Sequence, residues 1–356
     1  MRASHATLYR YSIPFTEPVT VRGLRLLHRE GALLALKSAD ESLVGFGEIA
    51  PLPGLHKETL EAAEGQLVAL LSEHDFTRSG TLPLKLYPSV RTGVEMAMIN
   101  LDAAERGCSP FAPLSTETNE VPLNALLFGG TQAVIARAQK LFNTGYRAFK
   151  LKVTPAALSE SAETITELHR TFGGGIELRL DLNQSLSLDD AVAFARTIPE
   201  GSVAYIEEPL QEPRLIGEFH SRTGSLSALD ETLWQQPELL DTLPENSLRA
   251  LILKPNRLGG INAAMRFAAL GREKNLLSVF SSAFESGVSL GFYAMLAAAA
   301  SPAPAPCGLD TFRYLTHDLL ETPFGTDDGW LDTEALYRKS LAVNRHMIRQ
   351  ESRWTL

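Results

Sequence analysis

The chain has 356 residues, enough for one large domain with a smaller companion and a substantial buried core. Its apolar fraction of 44% and charged fraction of 21% exclude disordered and collagen-like classes. With 33 basic against 42 acidic residues the net charge is −9, and no Lys/Arg cluster interrupts that balance, so neither nucleic acid nor an anionic membrane is expected as a partner.

In chain order, residues 1–15 carry Arg2, His5, Arg10 and Tyr11 and so lack the apolar core of a signal peptide. Residues 7–13, 19–28, 32–37 and 43–49 read as four short strands separated by turn signals. Helical spacing follows over 57–74 and 88–106. Strands followed by helices predict an α+β capping domain over residues 1–115, within which 16–22 is a candidate lid. Residues 109–120, rich in Pro, Ser and Thr, read as a linker.

From residue 121 the pattern alternates. Strand-like runs at 121–127, 148–153, 177–183, 203–208, 227–231, 248–254, 276–281 and 307–310 are separated by helix-like stretches at 131–143, 155–171, 187–197, 214–222, 237–242, 260–273 and 288–300. This predicts an α/β chain with a parallel barrel over 121–320 rather than an open sheet, since Gly129-Gly130 opens no G-x-G-x-x-G fingerprint. The apolar run 290–300 is shorter than the ~20 residues of a membrane span, and Pro302, Pro304 and Pro306 follow it. Cys108 and Cys307 have neither disulfide nor metal spacing, which fits a cytoplasmic setting. Residues 321–356 have no βα pattern and are expected to return to the capping domain.

Charges fall where these strands end. Lys150 and Lys152 end the second, Asp181 and Asn183 the third, Glu207 and Glu208 the fourth, Asp230 and Glu231 the fifth, and Lys254 the sixth. In a parallel barrel all these ends open on one face, where barrel active sites lie. Structural ion pairs would explain any one of them. Five consecutive strands ending in charge favour a site. Asp181, Glu207 and Asp230 offer hard oxygen donors for Mg²⁺, and no His or Cys at a strand end suggests zinc. A cation on a substrate carboxylate stabilises the enediolate formed when the α-proton leaves, with Lys152 and Lys254 as base and cationic partner. That work requires lysine pKa values lowered towards neutrality.

The motifs K-L-K (150–152), L-D-L-N (180–183), I-E-E-P (206–209), L-D-E (229–231) and L-K-P (253–255) together resemble the enolase superfamily, in its muconate-lactonising branch. The resemblance implies a modified TIM barrel, (β/α)7β, under an N-terminal α+β cap completed by the C-terminal tail. It also implies Asp181, Glu207 and Asp230 as Mg²⁺ ligands, with Mn²⁺ able to substitute, and Lys152 and Lys254 as catalytic residues; the choice of Glu207 over Glu208 comes from the resemblance. Within the branch, G-E-I-A-P-L-P-G-L-H-K-E-T (47–59), S-S-A-F-E-S-G-V-S-L (281–290), G-L-D-T (308–311) and Arg179 look like the o-succinylbenzoate synthase family. The implied reaction is syn dehydration of a succinyl-bearing cyclohexadiene carboxylate, SHCHC, in menaquinone or phylloquinone synthesis.

Lys150, Arg179, Asn183, Ser281, Ser282 and Gly287 are the candidate substrate-binding residues. The serines and the N–H groups of the helix opening at Gly287 are offered to the succinyl carboxylate, although ordinary strand-end hydrogen bonding explains the serines equally well. An N-succinylamino acid racemase or dipeptide epimerase of the same superfamily is the rival enzyme. An inactive barrel that binds a ligand is the rival of another class, and a homo-oligomer is compatible with either. An epimerase usually carries an acidic D-x-D at the last strand end, and here Asp310 is followed by Thr311-Phe312.

Overall fold

The computed structural model describes residues 3–73, 82–111 and 120–356; most of the expected linker and the end of the first expected helix at His74 lie outside the described residues. Strands β1 (His5–Val21) and β2 (Leu24–Lys37) form a long antiparallel hairpin, and β3 (Val44–Ile49) adds to β2. The hairpin turns on Arg22 and Gly23 at φ 45° and 84°, a two-residue turn whose twist matches that of the strands. The strand expected over 19–28 therefore does not exist as one element. Its alternating pattern runs through the turn, because Arg22 takes a left-handed conformation without the usual turn chemistry.

Helices α1 (Leu60–Glu73) and α2 (Pro88–Arg106) follow. Pro88 in its first turn and a left-handed Gly107 behind it delimit α2 where the sequence puts it. This helix lies on β3 at close range: a Cβ on Gly47 would come within 1.8 Å of the Gly93 carbonyl oxygen.

The first expected barrel strand is split. β4 (Glu120–Pro122) pairs antiparallel with a late strand, and β5 (Asn124–Leu127) starts the barrel. Then come α3 (Thr131–Thr144), β6 (Ala148–Lys152), α4 (Leu158–Phe172), β7 (Glu177–Asp181), α5 (Leu188–Ala195), β8 (Tyr205–Glu207) and α6 (Ile216–Thr223). After β9 (Ser227–Leu229) stand the one-turn helices α7 (Thr232–Gln235) and α8 (Leu239–Thr242). Next are β10 (Leu248–Leu253), α9 (Pro255–Leu258), α10 (Ile261–Glu273), β11 (Leu277–Phe280) and α11 (Gly287–Ala300). Strands β5 to β11 are parallel and neighbours in chain order. The expected eighth strand shrinks to two bridges, Cys307 to Leu123 and Gly308 to Ser281, which close the ring between β5 and β11. Beyond them Asp310 begins a 3₁₀ turn, Asp310–Tyr314, so pairing stops.

Helix α11 is the long apolar run of the sequence. It is buried almost throughout, packed against α10, β3 and the late helix α12 (Thr333–Ser340), which follows β12 (Trp330–Asp332), the partner of β4. Among the described residues no helix is long and apolar enough to cross a membrane. The chain ends in β13 (Arg349–Thr355), antiparallel to β1, so the first sheet has the order β13-β1-β2-β3.

Candidate active site

Register sets the site. Lys152 pairs with Asp181 and Asp181 with Glu207, so the three stand in one row across β6, β7 and β8 and project to the same side. One row lower stand Lys150, Arg179 and Tyr205. Asp230 follows the end of β9 and Lys254 the end of β10. The Lys150 ammonium donates to both Glu207 oxygens at 3.1 Å and lies 3.4 Å from Asp181. Lys152 donates to Asp181 Oδ2 at 3.0 Å, and Lys254 donates to Asp230 Oδ2. The Trp234 indole faces the Lys254 ammonium at 5.8 Å and the Arg257 guanidinium at 4.7 Å.

The two adjacent glutamates have different environments. Glu208 Oε1 accepts from the backbone N–H of Asp230 and Thr232, both at 2.7 Å, and its Oε2 accepts from Thr232 Oγ1 and Gln184. It ties the end of β8 to the turn after β9. Glu207 faces Lys150 across the barrel interior. Asn183, Gln184 and Glu208 all have positive φ, so the backbone that turns away from β7 and β8 is strained here.

Electrostatically the acids are crowded. Burial pushes the Glu207 carboxyl up and Asp181 adds to this, while Lys150 only partly offsets them. Asp230 is pushed well up by burial against the pull of Lys254, with Glu231 and Glu207 adding repulsion. Burial would also raise Asp181, but Lys152 and Lys150 outweigh it and hold Asp181 below the usual range. Lys150 and Lys254 are held above their ordinary values, because the carboxylates outweigh the burial that would lower them. For Lys254 that is opposite to the fall expected for base work.

In this arrangement ammonium groups span the carboxylates, and among the described residues no three His, Cys, Asp or Glu side chains converge closely enough to hold a metal ion. The donor chemistry nevertheless suits a hard divalent cation. Asp181, Glu207 and Asp230 are at most 3% exposed, and among the described residues Asp230 Oδ1 and the neighbouring Glu231 Oε2 are buried without a hydrogen-bond partner. Two of the three acids carry a burial cost that a shared cation would offset.

The candidate substrate-binding residues fare differently. Arg179 is fully buried beneath the acids, donating to Glu177 and to the Pro306 carbonyl, each at 2.7 Å, with its guanidinium 5.2 Å from the Tyr205 ring. It therefore braces the barrel interior, with Nη2 buried and without a hydrogen-bond partner among the described residues. Gly287 is engaged within the chain as well. Its N–H donates to Asp318 at 2.9 Å, Val288 N–H donates to Ser286 Oγ, and Glu48 accepts from the Ser286 and Ser289 N–H groups. The α11 N-terminus is thus occupied by the chain's own carboxylates. Lys150 is engaged by acids, and Asn183 Nδ2 donates to Glu231 at 3.1 Å. Ser282 Oγ is shared with Thr311 Oγ1 at 2.7 Å, and Ser281 is buried beside Gly308.

Asp310 Oδ1 accepts from the Tyr146 hydroxyl at 2.7 Å and from Arg313 at 2.8 Å, while its Oδ2 is buried without a hydrogen-bond partner among the described residues. The expected lid does reach residues of the barrel region: Thr16 Oγ1 donates to the Tyr314 carbonyl at 3.4 Å, and the Arg22 guanidinium lies 3.8 Å from Glu231. Sequence reasoning missed Trp234, whose place beside Lys254 only the closed barrel shows, and Glu48, whose carboxylate meets residues more than 230 positions away.

Residues 133–336 match the family model described as Enolase C-terminal domain-like, and residues 2–101 match MenC, N-terminal domain. Protein PHYLLO, chloroplastic, of Arabidopsis thaliana is 30% identical over 92% of this chain, which spans only 22% of that protein's length. The o-succinylbenzoate synthase of Yersinia enterocolitica is 32% identical over 88% of this chain and 92% of its own. Among solved structures, the L-Ala-D/L-Glu epimerase of Bacillus subtilis superposes with a TM-score of 0.82 at 18% identity, over 93% of this chain and 96% of that one. An enolase-superfamily member of Roseovarius nubinhibens, complexed with magnesium, gives 0.82 at 15% identity over the whole of both chains. At such identities the likeness concerns the fold.

Proposed function

Since this chain belongs to the enolase superfamily, as an enzyme of the lyase type whose N-terminal region matches the MenC family, we propose that it is an o-succinylbenzoate synthase, dehydrating SHCHC to o-succinylbenzoate in menaquinone or phylloquinone synthesis. The observation that carries this reading is the pair Lys152 and Lys254, each against one of the three acids gathered at the barrel mouth. Residues 1–115 and 321–356 are read as one capping unit and 121–320 as the catalytic barrel. A cytoplasmic setting fits the acidic charge and the two free cysteines.

Asp181, Glu207 and Asp230 would hold Mg²⁺, or Mn²⁺ in its place, which when bound supplies positive charge to the substrate carboxylate and the enediolate it becomes. Lys152, whose side chain is 40% exposed, is the group open to substrate and acts as the base. As the free amine it takes the α-proton; as the ammonium so formed it returns a proton to the departing hydroxyl on the same face, and water leaves as the ring becomes aromatic. Lys254 stays an ammonium, a role its raised pKa suits, and offsets the enolate charge from the other side. Asp310, whose Oδ1 accepts from Tyr146 and Arg313, is followed by Thr311-Phe312 and forms no D-x-D segment, which argues against a dipeptide epimerase. The test is a parallel assay of SHCHC, an N-succinylamino acid and an Ala–Glu dipeptide at equal enzyme and Mg²⁺, with an EDTA-treated control. Fast ultraviolet change with SHCHC, lost in EDTA, is expected. Faster turnover of the dipeptide would overturn the reading.

A further inference from the structure

Two sequence motifs, at 47–59 and 281–290, find no place in the chemistry above, yet the fold brings them together. Glu48 of β3 accepts from the Tyr11 hydroxyl, and from Ser286 Oγ at 2.8 Å. Arg29, fully buried, donates to the carbonyls of Ala50 at 2.5 Å and Phe284 at 3.1 Å. From the same loop of the cap, His56 takes the Leu52 N–H on Nδ1 at 2.9 Å and sets Nε2 3.0 Å from the Asn256 carbonyl oxygen. Those two partners require a neutral ring protonated on Nε2. Burial, with Arg257 and Arg29 nearby, keeps it neutral by lowering its pKa to about 3.

Asn256 is gripped a second time. Its side-chain amide donates to Glu285, whose other oxygen accepts from the Ala283 N–H at 2.5 Å. Asn256 belongs to the one-turn helix α9, which Lys254 caps: the Lys254 carbonyl accepts from the N–H groups of Arg257 at 2.8 Å and Leu258 at 2.9 Å. A single turn has almost no cooperative stability of its own. Its position therefore depends on what holds it from outside.

We propose that His56 and Glu285 are positioning residues for Lys254: through Asn256 they fasten the turn after the sixth barrel strand to the cap and to the loop after the seventh. The cap residue His56 thereby takes part in catalysis without touching substrate, and the two motifs are the halves of one clamp. The inference rests on the reading of Lys254 as a catalytic group, so the test has one arm that needs no activity. Hydrogen exchange at the Arg257 and Leu258 amides is compared in the wild-type chain, His56→Ala, His56→Gln and Glu285→Gln, alongside kcat and KM for SHCHC. His56→Ala should speed exchange at those amides by ~10-fold or more while core strands stay protected. It should lower kcat by ~10-fold or more with KM nearly unchanged, because a displaced ammonium weakens the transition state rather than binding. His56→Gln, whose amide can still donate to the Asn256 carbonyl, should recover part of both losses. Glu285→Gln keeps only one of two acceptors and should loosen the same amides. Unchanged exchange in both His56→Ala and Glu285→Gln, or a raised KM at unchanged kcat, would overturn the clamp. A wild-type enzyme inert towards SHCHC would instead overturn the proposed function, leaving the exchange arm to decide the clamp.

Discussion

At the scale of single residues, the buried titratable groups make stability depend on pH in opposite senses. Burial, with Glu48 adding repulsion against the pull of Arg29, raises the Glu285 carboxyl from 4.5 to about 7. Between those values the folded protein keeps a proton that the unfolded chain has lost, so this group's contribution falls as pH rises through the window. His56 works the other way. Its folded pKa lies below its ordinary value of 6.5, so the unfolded chain takes up the proton first and stability falls as pH drops. Urea unfolding should therefore show Glu285→Gln gaining on the wild type between pH 5 and pH 8, by on the order of 3 kcal/mol; a difference independent of pH would refute the assignment. For the lysines, Lys152→Ala should lose ~10²–10⁴ in kcat if Lys152 is the base. Near-native turnover in that variant would remove it from the mechanism. The charges at the five strand ends were legible one by one, since each closes a βα unit. Which carboxylate faces the Lys150 ammonium and which is bonded to backbone was not, because Glu207 and Glu208 differ only in the side of the strand they take.

Among elements, punctuation and close packing explain what reads well and what does not. The bounds of α2 follow from Pro88 and Gly107, whose backbone preferences act locally. The β1–β2 turn was read through because its signal is a lone Gly23 behind an arginine. The packing of α2 on β3 supplies a prediction at this scale. A Gly47→Ala methyl would meet the Gly93 carbonyl, part of the helix backbone, which cannot swing aside as a flexible side chain does. The substitution should lower stability by roughly 1–3 kcal/mol or more and displace α2. A urea midpoint equal to wild type would show that the sheet and helix tolerate separation. Helix α11 teaches the opposite lesson: apolar on every side, it has no amphipathic signature, and its burial comes from the elements that surround it.

For the whole molecule, the return of the chain end matters most. β13 covers the outer edge of β1, across the sheet from the edge held by β3. Deleting residues 349–356 should expose that edge, lower the melting temperature by at least ~5 °C and promote association through β1. Calorimetry and light scattering check this, and an unaltered melting point would make β13 dispensable. Repeating units, strand-end charges and helix punctuation made the barrel legible in the sequence, because alternating burial imposes a period and each unit repeats it. The sequence also determined which residue types stand at the mouth, since a βα unit ends where its strand ends. Only the tertiary structure decided which of them stand free. Arg179 Nε and Nη1 go to Glu177 and Pro306, the α11 N-terminus to Glu48 and Asp318, and Asp310 Oδ1 to Tyr146 and Arg313. The reason is physical: burial favours pairing of polar groups, and each partner is chosen by proximity in the folded chain, which no local pattern of residues records.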